Sequence, residues 1–125
     1  MNRQLMHDAF TTMQTEIEQA QRLIQQDELI KAEEIYHKML EQEKDFPPAL
    51  HGLSVLANKI EEQDVRENLL DRAIQQIKET EDRNQKAVLA IWLTEQAEAL
   101  IKLDRQDEAK NCIAESERFI KENLS

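Results

Sequence analysis

The feature that most narrows what this chain can become is that it repeats itself. Moved along itself by 34 residues, Ala20 falls on Ser54, Leu23 on Ala57, Ile35 on Leu69, Tyr36 on Leu70, Met39 on Ala73 and Leu40 on Ile74. Moved by 43, Leu50 falls on Leu93, Ser54 on Ala97, Ala57 on Leu100, Ile60 on Leu103, Leu70 on Ile113, Ala73 on Ser116 and Ile77 on Ile120. The second offset is one 34-residue period plus nine residues, about two and a half helical turns, which a longer helix can absorb. A unit recurring at such a period cannot bury its apolar face alone, so it must stack on its neighbours.

Within each unit the apolar spacing is helical. Met6, Phe10, Met13, Ile17, Ala20 and Ile24 form one stripe at spacings of four and three, and Leu29, Ala32, Ile35, Tyr36, Met39 and Leu40 form a second. Asp45-Phe46-Pro47-Pro48 is the sharpest break, because proline bars helical geometry from the residue before it and suits the first turn of the next helix. A third helix carries Leu50, Leu53, Leu56 and Ala57, and a fourth Leu69, Leu70, Ala73, Ile74 and Ile77. Capping residues at Thr80 to Arg83 precede a fifth helix, expected to run unbroken from about Asp82 to Leu103. Asp104 to Asp107 turns the chain into a sixth, with Ala109, Cys112, Ile113, Ser116, Phe119 and Ile120. One glycine and two prolines in 125 residues leave little to interrupt helices. The expected fold is all-α, about six helices in one domain, stacked as antiparallel hairpins over about 3–44, 47–79 and 82–123.

A 34-residue helix–turn–helix period resembles that of the tetratricopeptide repeat family, over about residues 13 to 123. That family places small residues where two helices approach and large ones where they interlock. Ala32, Tyr36 and Met39 occupy such positions in the first repeat. Leu50, Leu53, Ser54, Ala57, Leu70 and Ala73 do so in the second, and Leu93, Ala97, Leu100, Ala109, Ile113 and Ser116 in the third. The phrase from Leu103 to Ala109 looks like the family's inter-helix turn. Departures are Arg66 at an alanine position, Glu16 and Gln19 on the first helix, and Lys44 and Lys78 where a closing proline is usual. The resemblance implies three degenerate repeats in a right-handed superhelix.

Charge and composition narrow the functions. A net charge of -10 repels nucleic-acid backbones and anionic membranes, so neither is an expected partner. The single cysteine, Cys112, cannot form an internal disulfide, which fits a reducing compartment. The N-terminus lacks the apolar core of a signal peptide, and the run Ala87 to Leu93 is too short to span a bilayer. The cytoplasm is the expected location. Gly52 alone cannot build a phosphate loop, and Cys112 aligns with Ile35 and Leu69, positions expected to be buried and inert. Glu34 and His37 have the Glu-x-x-His spacing of di-iron bundles, but no second copy exists, and His7 and His51 stand apart. Neither enzymatic chemistry nor a cofactor or metal is expected.

Partner binding remains. The family resemblance implies a protein- or peptide-binding module whose concave face would present Gln21, His51, Val55, Asn58, Thr94 and Glu98. Some family members grip the C-terminal carboxylate of chaperones; by position that clamp falls on Ile17, Gln21, Gly52, Ile91 and Glu95, none of them basic. Length offers a second surface. The first and fifth helices overrun the repeat at their N-termini while the prolines shorten the third. The overhangs carry Leu5, Met6, Phe10 and Met13 on one side and Ala87, Val88, Ile91 and Trp92 on the other. They either pack on each other or form an interface with Phe10, Met13 and Trp92 as anchors. A homodimer of helical hairpins is the main alternative, and a metal-binding helical bundle a lesser one.

Overall fold

A computed structural model of the chain describes the backbone of residues 3–124 and the side chains of 13–123. The described residues are all-helical: α1 Arg3–Gln25, α2 Leu29–Gln42, α3 Pro47–Lys59, α4 Gln63–Glu79, a single turn α5 Arg83–Lys86, α6 Leu89–Lys102 and α7 Gln106–Leu124. Short turns pair α1 with α2, α3 with α4 and α6 with α7, giving three hairpins. The hairpins pack in chain order: α2 lies on α3, α4 on α6, and α1 also reaches α3. Among the described residues no helix is long and apolar enough to cross a membrane.

The repeat is visible in the backbone of the hairpin turns. Asp27, Glu61 and Asp104 have φ of 63°, 60° and 60°, and their spacings reproduce the two sequence offsets. Each turn closes with the same two hydrogen bonds. Asp27 N–H donates to Ile24 O and Glu28 N–H to Leu23 O; Glu61 to Asn58 and Glu62 to Ala57; Asp104 to Ile101 and Arg105 to Leu100. This left-handed closure satisfies carbonyls that the helix end leaves free, and glycine is its usual occupant. Here a side chain bears the strain each time, least comfortably at Glu61, since aspartate tolerates this geometry better than glutamate. Glu61→Gly is expected to stabilise the protein by about 0.5–1 kcal/mol, the relief of left-handed strain less the added freedom of the unfolded glycine. Asp27→Gly and Asp104→Gly should gain less; urea unfolding with an unchanged slope is the check.

The core is layered. Ala20, Ala32, Tyr36 and Met39 of the first hairpin meet Ala49, Leu53 and Leu56 of α3, while Leu50, from the same helix, joins Leu70, Ala73, Ile74 and Ile77 of α4 and Leu89, Trp92 and Leu93 of α6. A smaller cluster of Ala97, Leu100 and Ala109 fills the last hairpin. Thus α3 is the shared layer, apolar on both sides, and its one glycine has a packing reason. A Cβ on Gly52 would stand 2.2–2.6 Å from three ring atoms of Tyr36. Repeat-equivalent positions share burial: Ala20, Ser54 and Ala97; Met39, Ala73 and Ser116; and Ala32, Arg66 and Ala109. The exception is the end of the stack, where Ile113 is 39% exposed although its equivalents Tyr36 and Leu70 are 2% and 0%. Among the described residues α7 packs chiefly on α6.

Two sequence expectations are corrected. The fifth helix is not continuous from Asp82 to Leu103: α5 ends at Lys86, and α6 begins at Leu89. Asp82 caps α5 by accepting from the Asn84 and Gln85 N–H groups, and Val88 N–H then donates to Gln85 O, a tightened turn at a β-branched residue. Leu89, Trp92 and Leu93 bury in the layer shared with α4, whereas Ala87 stays exposed. An apolar run longer than one helical face is thereby split. Further, Cys112 and its equivalents Ile35 and Leu69 are only half-buried.

Candidate functional site

Four of the residues expected on the concave face, His51, Asn58, Thr94 and Glu98, are held by partners outside that set. His51 on α3 stacks on Trp92 of α6, ring centroids 4.8 Å apart and planes 10° from parallel. Its Nε2 lies 3.0 Å from Glu95 Oε2, so ring and carboxylate tie α3 to α6. Asn58 accepts from Gln63 Nε2 at 3.1 Å, and the Thr94 hydroxyl donates to Ala90 O of its own helix at 2.9 Å. Gln21 is exposed on α1 and Val55 half-buried on α3. Trp92, expected as a projecting anchor, is 7% exposed; its indole belongs to the core and presents only an edge. The Phe10 side chain lies outside the described residues.

Glu98 has a structural partner that its family position gave no hint of. The Arg66 guanidinium, on a side chain only 5% exposed, donates to Glu98 Oε1 at 3.1 Å and to Gln63 Oε1 at 3.2 Å. Where the other hairpins have Ala32 and Ala109, this one buries a cation and matches it from the next hairpin. Partial burial raises the Glu98 carboxyl, but hydrogen bonds and charge from Arg66 and Lys102 outweigh it, and its pKa falls below the usual value. A depressed carboxylate stabilises the fold above the unfolded pKa, and that contribution is lost as pH falls through the folded one. Glu98→Gln is therefore expected to cost about 1 kcal/mol at pH 7, the low end for a partly unpaired buried cation because Glu98 is half-exposed. Chemical denaturation across pH should show the gap between variant and parent closing below about pH 4.

The groove lies at the edge opposite the hairpin turns. There α3 starts late, at Pro47, while α1 on one side and the α5–α6 path on the other extend further back. The Leu5, Met6 and Phe10 side chains lie outside the described residues, so the walls are those formed from Met13 onward on α1 and along α5–α6. They border an open groove of about 680 Å³, within the range of ligand sites. Met13, Gln14 and Ile17 of α1 form one wall, and Gln85, Val88 and Trp92 the other. Glu43, Phe46, Pro47, Pro48 and Ile77 line the floor between them. Of the expected anchors, Met13 and Trp92 meet here. Val88 was expected on the overhang, whereas Phe46, the proline pair, Ile17 and Ile77 are lining residues that the sequence does not mark for this groove. The short third helix between two longer ones was the signal that could have found them.

The other chemical candidates do not assemble. His37 pairs with Glu33 at 3.3 Å rather than with Glu34, and all three side chains are exposed. The Cys112 thiol donates to Gln96 Oε1 at 3.4 Å; burial, then the nearby carboxylates of Glu115, Glu67 and Asp71, raise its pKa and keep it protonated. Gln96 in turn donates to Glu67 and Asp71, both at 3.2 Å, a buried polar tie between α4, α6 and α7. Comparison with known proteins finds no match among family models, curated proteins or solved structures.

Proposed function

We propose that the chain is a helical-repeat interaction module of the tetratricopeptide type, which holds a segment of a partner protein in the groove between its overhanging helices. One observation carries the reading: an open, mostly apolar groove of about 680 Å³ is built by residues from α1, α3, α4, α5 and α6. Burial of apolar side chains supplies the affinity, and no bond is made or broken. A cytoplasmic setting fits the lone, half-buried thiol. Panning a random peptide display library on the protein tests the reading. Selected peptides are expected to lose at least ten-fold in affinity on a Met13→Glu, Val88→Glu double variant that keeps parental helical circular dichroism. Peptides that hold equally to both would sink it.

A second reading, a homodimer, is favoured by Ile113 and Ile120, which stand 39% and 44% exposed on α7. Sedimentation at micromolar concentration separates the two: a dimer dissociated by Ile120→Glu would favour self-association.

A further inference from the structure

We infer that the groove is built for a basic segment: an apolar side chain seated between the walls, with a Lys or Arg beside it directed at Glu43 and the end of α2. This rests on the groove being the binding site, as proposed above.

The electrostatics of the groove edge run in one direction. Helix starts ordinarily offer free N–H groups and a positive dipole end, which attract anions. The starts of α3 and α5 are closed. Pro47 and Pro48 occupy the first positions of α3 and have no N–H, and the next two N–H groups, of Ala49 and Leu50, donate to Phe46 O. At α5 the Asp82 carboxylate takes the N–H groups of Asn84 and Gln85. The helix ends at this edge each receive one backbone N–H, Glu43 donating to Met39 O on α2 and Thr80 to Ile77 O on α4. The last turn of α2 contains no basic residue, and Glu43, at its C-cap, carries an exposed carboxylate in the lining, whereas the neighbouring Lys44 is exposed and does not line the groove. On α4, Lys78 sits in the last turn, but its ammonium is held by Glu115 at 2.6 Å. Among the described lining side chains Glu43 alone is charged. Among the described lining side chains an anionic tail would find the neutral N–H donors of Gln14, Gln85 and Trp92 but no cation, while a guanidinium or ammonium finds a carboxylate, a helix C-terminus and a chain of net charge -10.

Fluorescence anisotropy with three labelled synthetic peptides tests this. Two share one pattern of Leu and Phe anchors, flanked by Lys and Arg in the first and by Glu and Asp in the second. The third keeps the basic flanks and replaces every anchor with Ser. The first peptide is expected to bind at least ten-fold tighter than either of the others. Glu43→Lys should weaken it about ten-fold, and Glu117→Lys, the same charge change on exposed α7, should not. Equal binding of the acid-flanked peptide, or no effect of Glu43→Lys, would overturn the inference. The groove reading would then survive only if Met13→Glu, Val88→Glu still abolished binding. Equal binding of the Ser peptide would reduce the effect to charge attraction and also overturn the inference. No binding by any peptide would overturn both.

Discussion

Trp92→Ala is expected to remove about 3–5 kcal/mol of stability, the usual cost of deleting a large aromatic from a packed layer. The indole is buried among Leu50, Ile74, Ile77, Leu89 and Leu93 and carries the His51 ring on its face. At this chain length that is a fall in Tm of roughly 10–20 °C. Trp92→Phe should cost about 1 kcal/mol, because it keeps most of the volume. Urea unfolding followed by circular dichroism measures both, and as the only tryptophan Trp92 also reports its own exposure by fluorescence. The result decides between two roles for one residue. A projecting interface anchor could be removed from the free protein with little loss, so an unfolding midpoint equal to the parent's would place the indole outside the core.

Gly52→Ala comes next in size and is sharper in sign. In an exposed helix interior that change gains up to about 1 kcal/mol from helix propensity. In α3 the new methyl would stand 2.2 Å from Cζ of Tyr36, and also close to Cε1 and Cε2, of a ring 2% exposed and held between α2 and α3. Overpacking of this kind costs about 1–3 kcal/mol, and the ring has no open side to move into. A net loss of about 2 kcal/mol is expected. Tyr36→Leu, which shortens the side chain and removes the ring, should relieve most of it, so the double variant should be more stable than the two single losses added together. Additive losses would show that ring and glycine are not in contact. Because the pair joins α2 to α3, the same experiment tests whether the first hairpin is fastened to the second at this point.

Apart from the break between α5 and α6, the sequence by itself determined the helices, their pairing and their order. Pro47 and Pro48 ended one hairpin and began the next, as barred geometry requires. The offsets of 34 and 43 residues reappear in three identical turns at Asp27, Glu61 and Asp104. These are local properties: period, breaker and turn act within a few residues, and a chain with one glycine has few alternatives. Part of the candidate site was legible on the same terms, since Met13 and the length mismatch around α3 can both be read along the chain.

Only the tertiary structure decided the rest. A helical stripe states which face is apolar, not what will cover it. So Trp92 and Ile91 read alike in sequence, yet Trp92 is in the core and Ile91 is 62% exposed. The break between α5 and α6 follows from Leu89, Trp92 and Leu93 packing against α4, a demand that no local signal near Val88 announces. Arg66 could be seen as a departure, but its match with Glu98 joins residues from separate hairpins. The groove exists because stacking sets Met13, Phe46 and Val88 around one space. Distances between distant residues depend on how helices lean on one another, and periodicity along a chain carries no record of that angle.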